Sequence, residues 1–251
     1  MSNFWDEDIA NLILNDIEKN GLQVFRNYKT AFEKYAAKEL IAEFDSKAHD
    51  SSHIRTIITL ILDEDVRFLP VIFCSFADEC LEDMFKREIP QDIPGGKSSL
   101  LTGFGSLSRF SQRIQIAYAF NWMSSDVLQE LNGLRRLRNN ISHSWDMNLI
   151  NEQLKYYISS QMSRIEQNFS NPEIFPENYW VGLNTESLFR IRLVWLAGRC
   201  YYESHLYASA VKNRVNPIEA LYTQTRSKLL TTISGLCIDA TKTITGNTKN
   251  N

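Results

Sequence analysis

Residues 125–145 read SDVLQELNGLRRLRNNISHSW. Taking about 100° per residue with Leu134 as zero, Val127 falls at about +20°, Leu131 at about +60°, Leu137 at about −60° and Ile141 at about −20°. These positions make one apolar stripe on one helix, and Ser125 or Asp126 is placed to cap its start. The same recurrence at three and four residues runs along the chain, which has only ten glycines and six prolines to punctuate it. The expected fold is therefore all-α.

Working outward, residues 106–123 (SLSRFSQRIQIAYAFNWM) predict a helix with Ser106 or Ser108 as N-cap. Leu107, Phe110, Ile114, Ala117 and Tyr118 share one face of it. Residues 65–89 carry apolar side chains nearly all round and read as a buried central helix with Pro70 in its early turns, ended by Pro90. The stretch PQDIPGGKSSLLTGFG after it is a loop. Its GGKSS is not a phosphate loop, because the spacing requires a glycine where Gln91 stands and no strand precedes it. Trp5 to Lys19 and Leu22 to Phe44 predict two helices broken at Asn20–Gly21, followed by the polar boundary DSKAHDSSH. Downstream, helices are expected over Leu149–Phe169, Thr185–Lys212 and Pro217–Ile244, with SNPEIFPENYW as a break and a frayed tail TGNTKNN. The resulting division is an N-terminal helical extension (1–60), a helical core (61–170) and C-terminal helices packing on that core (171–251).

A chain of 251 residues, 43% hydrophobic, can bury a sizeable core. A net charge of −3 gives no global attraction to nucleic acid, so any polyanion site must be local. Cys74, Cys80, Cys200 and Cys237 lie in apolar runs without CxxC spacing and read as reduced, buried thiols. The acidic start MSNFWDEDIANLIL does not resemble a secretory signal, and no apolar run approaches a membrane span. A soluble, cytoplasmic protein is expected.

Arg138 falls at about +40°, inside the apolar stripe, whereas Arg135 and Arg136 fall at about +100° and +200°. A guanidinium in such a place must be paired, hydrogen-bonded, or facing a wet cleft or subunit interface. One reading pairs it with a carboxylate such as Asp78, Glu79, Glu82 or Asp83 on the central helix, or has it cap a helix C-terminus. The other points it at a phosphate or another anion. His143 would lie about 140° round from Arg138 on a continuous helix, so the two meet only if the helix ends near NNIS or if they face each other across a dimer axis. His49 and His53 are spaced i,i+4 without an evident third ligand, so no metal site is expected. His205, among Tyr201, Tyr202 and Tyr207, reads as core, with a small-ligand or partner groove as the alternative.

Residues 103–145 resemble the central block of the bacterial mannitol repressor (MltR) family. The likeness is carried by the Gly-x-Leu-x-x-Phe-Ser-x-Arg opening at Gly105, Leu107, Phe110, Ser111 and Arg113, by Ala117–Tyr118, and by the closing arginine, x4, histidine. It extends loosely over Asp65 to Cys200, through ESLFRIRLVWLAGRC. Arg138, Asn139 and His143 are similar to the signature of the HEPN superfamily of helical bundles.

The resemblance implies a HEPN-like bundle with additional N- and C-terminal helices. Two functions follow from it. In the mannitol repressor group it implies negative regulation of transcription without a recognisable DNA-binding motif. The absence of a helix-turn-helix and the acidic balance agree, making direct DNA binding unexpected and a regulatory protein partner the expected route. In active HEPN proteins it implies metal-independent RNA cleavage, in a toxin or defence effector. There His143 would take the ribose 2'-hydroxyl proton, Arg138 would stabilise phosphorane charge and Asn139 would orient one of them. Arg109, Arg113 and Arg135 would meet the RNA backbone. Neither reading requires a cofactor or metal, and both imply a homodimer.

Overall fold

The computed structural model describes residues 4–47, 49–142, 144, 146–160, 174–175, 177–216 and 227–249. Its helices are α1 (Glu7–Ala10), α2 (Asp16–Ser46), α3 (Ser52–Asp63), α4 (Leu69–Glu88), α5 (Gly96–Leu101), α6 (Phe110–Ala119), α7 (Ser125–Ile141), α8 (Met147–Ser160), α9 (Thr185–Lys212) and α10 (Lys228–Lys249), with a 3-10 turn at Glu177–Trp180. No strand occurs among the described residues, so the all-α expectation holds.

Helix starts follow the local chemistry with small shifts. Ser124, one residue before the expected cap, accepts from Val127 N to start α7. Helix α6 begins at Phe110 rather than at either serine, with Gln112 reaching back to Arg109 N at 3.2 Å. Pro70 sits in the first turn of α4, where its missing N–H costs nothing. The break expected at Asn20–Gly21 is absent: α2 runs unbroken through it for 31 residues. Asn15 and Glu18 form a reciprocal capping box at its start, which helps offset the helix penalty of about 1 kcal/mol for Gly21. A frayed tail is expected from Thr245, but α10 continues to Lys249 and Thr245 is buried; residues 250–251 lie outside the described residues. The predicted helix positions 161–169 and 217–226 lie outside the described residues.

Helix α9 is the axis of the bundle. Its apolar residues lie all round, as a helix enclosed by others requires, and α2, α3, α4, α7, α8 and α10 all pack on it. Gly198 lets α10 approach closely: a Cβ there would stand 2.8 Å from Ile233 Cγ2 and 2.9 Å from Cys237 Sγ. Helix α4 packs on α3, α6, α7 and α9. The boundary drawn after residue 60 does not divide the core, because Ile54, Ile57, Ile58 and Ile61 of α3 are buried in the same cluster as α4 and α9. All four cysteines are free and buried, and burial pushes the Cys74 thiol up to about 11 and the Cys237 thiol up to about 12. No helix among the described residues is long and apolar enough to cross a membrane.

Candidate functional site at the end of helix α7

The buried face of α7 comprises Val127, Leu128, Glu130, Leu131, Gly133, Leu134, Leu137 and Ile141. Arg138 lies at its edge in the last turn and is only half-buried. None of the four carboxylates foreseen on α4 pairs with it. Its Nε and Nη2 instead donate to Asn139 Oδ1, at 3.3 and 3.1 Å. No ion pair to Arg138 occurs among the described residues. The helix ends at Ile141, as the Asn and Ser residues predicted: Ser142 N closes on Arg138 O, and Ser142 Oγ donates to Asn139 O. Asn140 ties this end to α8 through Gln153 Oε1 at 3.0 Å. His143 lies outside the described residues.

Arg135, placed by the helical angles at about +100° and foreseen as an RNA contact, is half-buried, and its Nε is buried without a hydrogen-bond partner. It and Arg138 both lie close enough to Cys74 to oppose the upward shift of that thiol. Both guanidiniums thus act on a thiol of α4, and Asn139 holds that of Arg138.

Arg113 requires a correction. Proposed as an RNA contact, it is buried against α4, with Nη1 at 2.6 Å from Asp78 and Nη2 at 2.7 Å from Glu82. Its Nε donates to Leu107 O at 2.8 Å and Nη2 to Leu101 O at 3.2 Å. With four of its five N–H groups engaged inside the protein and its side chain buried, this guanidinium serves the fold instead of a phosphate. The rest of its motif serves the same junction. Leu107 and Phe110 are buried, and a Cβ on Gly105 would stand 2.2 Å from Leu100 O, so only glycine lets this turn approach the end of α5. Arg109 is exposed at the start of α6, and no contact joins it to Arg138 among the described residues.

The sequence reading missed the charged residue that α7 does bury. Glu130 lies at about −40° on the same stripe and is 1% exposed. Its carboxylate takes Arg192 Nη2 at 2.5 Å and Tyr157 Oη at 2.6 Å. A second network joins Glu203 to Ser124 and Arg199 across α7 and α9. The angular arithmetic that singled out Arg138 would have singled out Glu130 too, had it been applied to carboxylates.

The histidine and tyrosine cluster of α9 is mostly core. Tyr202 and Tyr207 are buried, but Tyr201 and His205 border a cavity of about 140 Å³ edged by Asp50, Glu79, Asp83 and Arg87. His205 Nδ1 is held by Tyr201 O at 2.7 Å, and burial holds its pKa below the ordinary histidine value. His49 bonds Phe44 O through Nε2 instead of acting with His53. Among the described residues no group of three or more His, Cys, Asp or Glu is arranged to hold a metal ion.

Compared with protein-family models, curated proteins and solved structures, the chain matches none.

Proposed function

We propose that this protein is a regulator of the mannitol-repressor type, acting negatively on transcription through a protein partner. The observation that carries this reading is the use made of the motif behind the resemblance. Gly105, Leu107, Phe110 and Arg113 clasp the loop before α6 to α4, so the likeness is one of helical scaffold. With Arg113 internal, the cationic surface that an RNA backbone would need is correspondingly smaller. Transcript profiling of cells lacking the chain tests the proposal. A limited gene set should rise and return to its level on complementation, with His143→Ala complementing as well as the natural chain. An unchanged profile would contradict it.

One observation favours a second reading, the HEPN ribonuclease. Among the described residues no carboxylate pairs with Arg138, and Asn139 orients its guanidinium, as a phosphate-binding arginine would require. In that reading His143 removes the 2'-hydroxyl proton, the 2'-oxygen attacks phosphorus, the 5'-oxygen leaves, and a 2',3'-cyclic phosphate remains.

A further inference from the structure

Helix α2 has two apolar faces, on opposite sides and in opposite halves. In its C-terminal half Ala37, Leu40, Ile41 and Phe44 are buried in the bundle. Setting Tyr28 at zero, these four lie within about 60° of the 180° direction. In the N-terminal half that same side is polar, and the protein covers it. Gln23 is buried, accepting from Asp6 N at 2.8 Å, and Arg26 pairs with Asp6 and Asp8 at 2.9 and 2.7 Å. Lys19 Nζ donates to Ala10 O at 2.7 Å. The segment around α1 is thus strapped onto the hydrophilic side of the arm.

The outward side of the N-terminal half is apolar and open. Ile17, Val24, Phe25, Tyr28, Phe32 and Tyr35 are each at least 59% exposed. Together with Gly21 and Ala31 they occupy an arc within about 60° of Tyr28, and from residue 17 to 35 no charged residue enters it. Ile17, Gly21, Val24, Tyr28, Ala31 and Tyr35 follow one another at alternating spacings of four and three, the seam of a two-stranded coiled coil rather than the wider stripe of a core helix.

We infer that this seam is a homodimer interface, in which α2 of one chain packs on α2 of a second copy about a two-fold axis. Three observations select a second copy. A heptad seam fits a helix of the same period, and among the described residues no other helix of this chain offers one. The stripe is uncharged, so self-pairing opposes no like charges across it. Its size also matches: with aromatic side chains presenting roughly 150–250 Å² each, the six exposed residues offer on the order of 700 Å² per chain. That approaches the roughly 800 Å² per partner of a standard interface and exceeds the patches of about 300–600 Å² usual on monomers. The inference rests on neither functional reading, and it puts a two-fold axis on the N-terminal arm.

Sedimentation velocity on the full chain over a range from about 0.5 to 100 µM tests this, a span that brackets typical dimer affinities. The natural chain should sediment as a dimer of 29.1 kDa chains. Tyr28→Glu with Phe32→Glu should raise the dissociation constant at least a hundredfold while leaving the thermal transition of the bundle in place. The single variant Tyr28→Lys gives the same reading if the double variant does not fold. Phe104→Glu, at an exposed loop residue away from the arm, should remain dimeric. A natural chain that stays monomeric throughout, or a dimer that persists in the folded arm variants, would overturn the inference.

Discussion

Glu130 and Arg138 sit on the same stripe of α7, about 80° apart, yet one is enclosed and the other meets solvent. Position along the helix explains the difference. Glu130 is mid-helix, facing α8 and α9, which supply Tyr157 and Arg192; Arg138 is in the last turn, at the edge of the buried face. Removing one member of a buried, hydrogen-bonded ion pair leaves an uncompensated charge, so Glu130→Ala should cost about 3–5 kcal/mol. Urea unfolding would measure it, with Glu130→Gln expected to lose less because it keeps an acceptor for Tyr157. At this scale the helical angles put Arg138 inside the stripe and Arg135 on its flank, whereas Arg138 meets solvent and Arg135 has the buried, unpartnered Nε. Helical angles place a side chain on a face, whereas pairing depends on which other elements pack there.

At the scale of elements, the helices over 69–88, 125–141 and 185–212 were legible because their apolar spacing is long and uninterrupted. Two misreadings share a cause. Asn20–Gly21 reads as a break, and TGNTKNN as a tail, on local propensity alone. Capping at Asn15 overrides the first, and burial of Thr245, bonded to Tyr179 at 2.6 Å, overrides the second. The close crossing of α9 and α10 was not legible, since Gly198 inside a helix signals nothing until its neighbour is known. Gly198→Val should force the two helices apart and cost about 1–3 kcal/mol, measured as a lowered denaturation midpoint with unchanged helical content.

At the scale of the whole molecule, the chain carries a net charge of −3 and keeps its motif arginine, Arg113, internal. Its stability should carry a histidine signature. Burial, the main cause, lowers the pKa of His205; Arg87 and His49 lower it further, while the Tyr201 carbonyl and Asp83 pull the other way. The folded state therefore prefers the neutral ring. Above the ordinary value of 6.5 both states are neutral and stability is full; as pH falls below it, the unfolded chain takes up the proton first and stability declines. Comparing urea midpoints at about pH 7.5 and 5.5 should show the loss, and His205→Asn should flatten it. Asp65, whose carboxyl Arg67 holds down at about 2, titrates well below this window.

The site at Arg138 was legible as a triplet of residue types, but its chemistry depends on what the arginine and histidine meet. Incubating the purified chain with a panel of single-stranded and structured RNAs in chelator, and comparing it with folded Arg138→Ala and His143→Ala variants, tests the regulatory reading most directly. The scaffold account predicts no cleavage above either variant. Cleavage leaving 2',3'-cyclic phosphate ends, lost in both variants while their thermal transitions stay unchanged, would contradict it.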